Sequence, residues 1–247
     1  MAHFPLRARA RLLGTGIAAL AALWAGPVSA GAFRIAPVSV EVRPGAAASA
    51  LTVQNLSSLP MTIQLRVFRW RQAAGAESLD PTDQVVVSPP IATIAPGQSH
   101  VVRIARLAGG EIATEEAYRL WADEVPDPRN AHPGEVTLLL RQSIPVFFEA
   151  RLAALPALHA SLGGNARGAQ LIVGNAGSRR ERISDLRVTG ADGTVLLSRA
   201  GLLGYVLANA EMRWAVPLPE RVSWPITISA TSEHGPIHFV SPAPGAH

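Results

Sequence analysis

The sequence has no cysteine and no lysine, and aromatic residues fill only 5% of its 247 positions. Without cysteine there is no disulfide framework and no thiolate metal site. Without lysine, all 22 basic residues are arginine. An arginine-only set raises the sequence pI without a large charge excess, so the formal net charge of +4 is weak ground for polyanion binding. Charge itself is scarce, at 16% against 48% hydrophobic residues, which excludes a disordered chain. The length suffices for one large domain or two of immunoglobulin size. Long apolar runs are also few. Leu12 to Trp24 is the longest, about 13 residues, short of the ~20 that a spanning helix needs. It follows Arg7, Arg9 and Arg11, breaks at Gly26-Pro27 and ends on the small residues Val28-Ser29-Ala30. This pattern predicts a signal peptide over 1–30, cleaved after Ala30, and an exported protein with no later membrane insertion. Its removal takes three arginines and leaves a net charge of +1, which weakens any nucleic-acid reading further.

From Phe33 onward the chain is a series of short, β-branched apolar runs separated by turn residues, with no helical period of 12 or more residues. The strand candidates are Phe33–Val42, Ala50–Gln54, Thr62–Trp70, Val85–Val87, His100–Ile104, Tyr118–Ala122 and Glu135–Phe148. Along Thr62–Trp70 the alternation predicts Ile63, Leu65, Val67 and Phe68 or Trp70 facing inward. Seven such runs predict an antiparallel sandwich over residues 31–150. The Ala- and Pro-rich Arg151–Leu158 reads as a connection to a second β series over 151–247. Leu51-Thr-Val-Gln-Asn-Leu-Ser-Ser58 echoes Leu171-Ile-Val-Gly-Asn-Ala-Gly-Ser178, each a core strand running into an Asn turn, which favours two similar sandwiches.

Catalytic constellations are thin. Gly235-Pro236 forbids the helix that would bring His234 and His238 together as metal ligands. No phosphate loop and no Gly-x-Ser-x-Gly elbow occurs. Glu115-Glu116 and Asp123-Glu124 read as solvated turn carboxylates, and His100 as a strand surface residue. The sequence therefore predicts no enzyme, no cofactor and no metal.

The anomaly is Val136-Thr-Leu-Leu-Leu-Arg-Gln-Ser-Ile-Pro-Val-Phe-Phe148, a strand apolar on both faces. Val136, Leu138 and Leu140 share one face and Leu139 the other. A small sandwich buries one face only. The second row is either covered by the neighbouring domain or kept apolar on an edge strand that is lent to another protein. Three aliphatics in a partner's groove would contribute about 5–9 kcal/mol, at ~1.5–3 each, plus main-chain ladder bonds.

Several segments together resemble the periplasmic chaperones of chaperone–usher pilus assembly, the PapD-like family, and within it the archaic-type branch. They are Ser88-Pro-Pro-Ile-Ala-Thr-Ile-Ala-Pro-Gly97 with Val102-Arg-Ile104, Tyr118–Pro126, Leu140-Arg-Gln-Ser-Ile-Pro-Val-Phe147 and Gly204-Tyr-Val-Leu-Ala-Asn209. The resemblance implies two immunoglobulin-like sandwiches in a boomerang, located in the periplasm. It also implies no catalysis, capture of unfolded pilus subunits by donation of the seventh strand, and delivery to an outer-membrane usher. Carried onto this chain, Val136, Leu138 and Leu140 match the donated hydrophobics. The subunit's terminal carboxylate is held in the interdomain cleft. Better-studied branches use an Arg on the first strand and a Lys on the seventh, which align near Ser39 and at Pro145 here. The cleft must then use arginine, whose fork grips a carboxylate bidentately, and strand order nominates Arg103, Arg119 and Arg141 at one edge. An apolar strand of this kind also invites self-association of the free protein. The alternative reading is an exported immunoglobulin-like structural or adhesive module, such as a pilus subunit or surface binding protein. A subunit should carry a free alternating N-terminal extension and lack a final strand.

Overall fold

The computed structural model describes residues 33–127, 138–164, 168–219 and 221–243; the expected signal peptide and Val136 lie outside them. The described residues form seventeen strands and no helix. In the first sandwich, β1 (Phe33–Ala36), β3 (Ala48–Asn55), β8 (Ser99–Arg106) and β6 (Val85–Ser88) make one sheet in that order. The facing sheet runs β2 (Val40–Val42), β10 (Arg141–Phe148), β9 (Glu116–Val125), β4 (Met61–Ala73) and β5 (Ala76–Pro81), with β7 (Ile91–Ile94) also beside β4. The chain changes sheets at Pro37 and again at Pro89-Pro90, with cis peptide bonds before Pro37 and Pro89. Proline offers no N–H to a ladder, so the strands end there.

Strand parity sorts the side chains. Ile63 and Leu65 of β4, Leu120 and Ala122 of β9, and Ile144, Val146 and Phe148 of β10 meet Leu51, Val53, Val102 and Ile104 in one core. Trp70 is buried as well, but an odd number of residues past Ile63 puts it on the opposite face of β4. Phe68 stays on that outer face against Trp121, with ring centroids 4.6 Å apart.

The second sandwich packs the sheet β11 (Leu158–Gly163), β12 (Gln170–Asn175) and β15 (Ala210–Ala215) on a four-stranded sheet. The latter runs β14 (Val195–Val206), β13 (Glu181–Thr189), β16 (Ile226–Ser232) and β17 (Gly235–Ser241). Leu171, Val173, Ile183, Val188, Val206 and Ile228 centre its core.

The internal echo is a repeated device. Asn55, fully buried, accepts from Ser57 N at 2.9 Å and donates through Nδ2 to Leu59 O and Ile94 O at 2.8 and 2.9 Å. Asn175 accepts from Gly177 N at 2.9 Å and donates through Nδ2 to Arg179 O at 2.7 Å and to Val206 O and Leu207 O. Each side chain ties a turn to a neighbouring strand in place of the missing ladder bonds.

The strand expectations need correction at four points, the first being that the expected strand Phe33–Val42 is β1 and β2 on different sheets, with β2 parallel to β10. β5 and β7 are strands that the pattern did not reveal. Ala76–Pro81 lacks alternation and is aligned by the hairpin at Ala74-Gly75, both at positive φ. β7 is short and follows the Pro-Pro break. Of the expected strand Glu135–Phe148, the part up to residue 137 lies outside the described residues, Leu138–Leu140 are not strand, and the ladder runs over Arg141–Phe148.

Candidate functional site

Two features outside the cores stand out, one at each end of β10. At its start, Leu138, Leu139 and Leu140 are 83%, 48% and 37% exposed, three consecutive leucines in solvent. Leu140 O accepts from Glu124 N at 3.0 Å, so β9 guides the segment on one side. On the other side, β2 pairs with β10 only at Val146–Phe148. The edge of β10 from Arg141 to Pro145 has no strand partner there among the described residues, although Gln142 Nε2 donates to Phe33 O at 2.9 Å. Arg141 at this end is stapled to β9. Its Nε donates to Asp123 Oδ1 and its guanidinium lies 4.0 Å above the Trp121 ring. Arg66 of β4 donates to the other Asp123 oxygen at 2.6 Å. Burial tends to raise the Asp123 carboxyl pKa, but the two arginines outweigh it and hold it below the usual carboxylate range.

At the far end of β10 the two sandwiches meet. Trp70, Ala117 and Phe147 of the first pack on Tyr205 and Leu207 of the second. Trp70 meets Tyr205 edge-on at 5.5 Å and Phe147 at 5.9 Å. Gln72 bridges them with its amide: Nε2 donates to Tyr205 O at 2.9 Å and Oε1 accepts from Leu207 N at 2.8 Å. Gly75, at the tip of the β4–β5 hairpin, reaches β15, where its O accepts from Arg213 N at 3.1 Å. Gly75 lies at positive φ, and a Cβ there would run into the Arg213 side chain, so glycine suits both the turn and the close approach.

Two arginines at this junction play different parts. Arg180 is buried and clasped by acid: its Nη1 donates to Glu115 Oε2 at 2.6 Å, its backbone N to Glu115 Oε1 at 3.0 Å and its Nη2 to Glu41, while its buried Nε has no hydrogen-bond partner among the described residues. Its guanidinium covers Phe147 at 3.8 Å. Burial pushes the Glu115 pKa up, against the pull of Arg180 and Arg179. Arg119 lies flat over Trp70 at 3.7 Å and 5.8 Å from the Tyr205 ring, with no ion pair or hydrogen bond among the described residues. Burial depresses its pKa, partly offset by the charge of Glu77, whose carboxylate accepts from Trp70 Nε1 at 2.9 Å. A half-buried cation on an aromatic platform, with donors unused, is what an incoming carboxylate requires.

The three nominated arginines are therefore not brought together. Arg119 sits in the cleft. Arg141, which opposes Asp123 while Arg119 opposes Pro145, lies four residues along the ladder, about 13 Å at ~3.3 Å per residue. Arg103 is exposed on the other sheet, between Ala50 and Ser88. The reason is strand direction: Arg141 begins β10, and it is the end of β10 that approaches the second sandwich.

The paired acids are also unlike their expectation. Glu115 is buried on Arg180, Glu116 is clasped by Arg106 at 2.9 Å through both oxygens, and Asp123 is held by Arg66 and Arg141. Spacing along one strand gave no sign of partners that arrive from 10 to 65 residues away. Gln72 was equally unmarked, since a lone polar residue in an alternating strand looks like a surface position, and Tyr205 was marked only as part of the Gly204–Asn209 segment of the resemblance.

The pili and flagellar-assembly chaperone family, PapD N-terminal domain, matches residues 32–151. No curated protein sequence matches the chain significantly. Among solved structures, a chain of the CsuC–CsuE chaperone–tip subunit pre-assembly complex from archaic Csu pili of Acinetobacter baumannii is 23% identical. It covers 85% of this chain and 98% of its own, with a TM-score of 0.67. A chain of the Salmonella enterica SafA pilin–SafB chaperone complex is 20% identical over 87% of this chain and 98% of its own, TM-score 0.60. The E. coli chaperone DraB is 19% identical over 84% and 96%, TM-score 0.56. These likenesses give the same two-sandwich, immunoglobulin-like architecture as the strand order, and the family match makes residues 32–151 a member of the PapD-type pilus-assembly chaperone family.

Proposed function

We propose that this protein is a periplasmic chaperone of the archaic chaperone–usher type, which captures pilus subunits by donor-strand complementation and delivers them to an outer-membrane usher. The observation that carries the reading is the exposed Leu138–Leu140 segment running into a β10 edge that has no strand partner from Arg141 to Pro145 among the described residues. A subunit sandwich lacking its last strand would gain a ladder and a row of aliphatics from that edge. Leu138 and Leu140, with Val136 ahead of them, supply the row. Burying each would contribute ~1.5–3 kcal/mol.

The subunit's terminal carboxylate binds Arg119, the uncommitted cation of the cleft. Arg141 and Arg103 are less suited, Arg141 because Asp123 already engages it and Arg103 because it faces away on the other sheet. The chain's regions are a signal peptide over 1–30, a donor-bearing domain over 31–150 and a second domain over 151–247. The exposed leucines also favour self-association of the free protein until a subunit covers them.

Periplasmic co-expression with a candidate pilin tests the reading. A 1:1 complex that survives purification is expected, and Leu138→Asp and Arg119→Ala should each abolish it while the chaperone stays folded. A pilin stable alone, or open-ended polymerisation of this protein into fibres that the pilin does not disperse, overturns it.

A further inference from the structure

Two buried side-chain polar atoms have no hydrogen-bond partner among the described residues: Arg180 Nε at the junction, and Glu124 Oε2 beside the exposed leucines. Glu124 stands opposite Ile63 in the β4–β9 ladder, and on its other side its N–H donates to Leu140 O at 3.0 Å. Cross-strand neighbours share a face of the sheet. Ile63 is buried in the first core, as are Ala122 and Leu120, two and four residues back along β9. Glu124 therefore points inward at the open end of the sandwich, in line with Leu140 and, two residues before it, Leu138. Asp123 next to it faces outward and is met by Arg66 and Arg141, but no guanidinium is bonded to the buried Glu124 oxygen. Gln142, the following residue of the inward row, donates to Phe33 O instead.

A carboxylate oxygen withdrawn from water with nothing donating to it costs stability. An apolar residue in its place would continue the row without that cost. A subunit that closes over Leu138 and Leu140 covers Glu124 as well, because Leu140 is its neighbour in the sheet. Docking then strips water from an acid that the chaperone itself leaves unpaired. Only a donor carried by the subunit offsets that loss, and a charged donor does so best.

We propose that Glu124 is a specificity-determining residue, accepting from an arginine or lysine of the pilus subunit at the rim of the groove that receives Leu140. The leucines reward any apolar groove of the right size, whereas Glu124 penalises one that brings no cation. The inference rests on the chaperone reading given above and concerns which subunits that strand accepts.

The test expresses wild-type chaperone and a Glu124→Gln variant, differently tagged, together in the periplasm with a limiting amount of one captured pilin. Glutamine keeps the shape and removes the charge. The pilin recovered should favour the wild type about tenfold or more, the range for a hydrogen bond to a charged group, while the urea midpoint of the free variant stays at that of the wild type. Equal partition overturns the inference and leaves the chaperone reading standing. So does a loss that merely follows a lowered midpoint, or an equal loss from Asp80→Asn, which removes an exposed acid of the same sandwich. Replacing each Arg and Lys of the pilin by Gln in turn should reveal one position that matters to the wild type and not to Glu124→Gln. The scan against the wild type alone keeps the inference testable if that variant does not fold, and a scan without any sensitive position refutes it. Capture of no pilin by the wild type removes both readings together.

Discussion

From Ile144 to Phe148 every residue of β10 is buried, whereas Leu138, Leu139 and Leu140 just ahead of the strand stand in solvent. In sequence the two stretches are nearly indistinguishable, being equally apolar and equally unbroken. The buried end has partners on both faces. Phe148 enters the first core against Tyr118, and Phe147 enters the junction against Trp70 and Tyr205. The other end has β9 on one side and, among the described residues, no strand on the other. Burial by a neighbouring domain, one of the two explanations of this run, thus accounts for its second half, and exposure for a partner is the proposal made for the first. One half anchors the strand firmly enough that the other can be left uncovered.

The contrast can be broken from its buried side first. Phe148→Ala removes a ring from the first core and should cost about 3–5 kcal/mol, read as a shift of the urea midpoint. Gln72→Ala strands the Leu207 N–H and the Tyr205 C=O at the junction. The expected loss is about 1–3 kcal/mol by chemical denaturation. At the exposed side the effects shrink. Asp123→Asn should cost about 0.2–1 kcal/mol at neutral pH, because its arginine partners are solvated. Since the folded pKa of Asp123 lies below its unfolded value of about 3.9, the wild-type contribution persists above that value. It is lost as pH falls through the lower folded pKa. Denaturation series from neutral pH down to strong acid should show the Asn variant losing that part of the acid limb. Leu138→Asp should change stability by no more than about 0.5 kcal/mol while eliminating the pilin complex. A large stability loss from Leu138→Asp would mean that the leucine is packed in the free protein, and the contrast would collapse.

How much of this could be read beforehand follows from what each feature depends on. The two sandwiches were legible because alternation and turn residues are local, and the Asn55 and Asn175 turns even repeat in sequence. The exposed leucines were legible as an excess of apolar residues for one strand. The cleft was not. Arg180 and Glu115 are 65 residues apart and belong to different sandwiches, and Arg119 differs from Arg141 only in what the fold brings near it. Family likeness gave the expectation of an anchor in the cleft, but seeing that only Arg119 of the three nominated arginines lies there needed strand direction, because the start of a strand is indistinguishable from its middle when both are apolar.

The paired Asn turns carry a consequence for the chemical ageing of the molecule. Hydrolysis of a side-chain amide exchanges one nitrogen for oxygen with almost no change of shape. At Asn55 the new oxygen would face the carbonyls of Leu59 and Ile94, and at Asn175 those of Arg179, Val206 and Leu207. Donation would become repulsion in a buried site, so one slow, uncatalysed reaction has the same vulnerable point in each half of the protein.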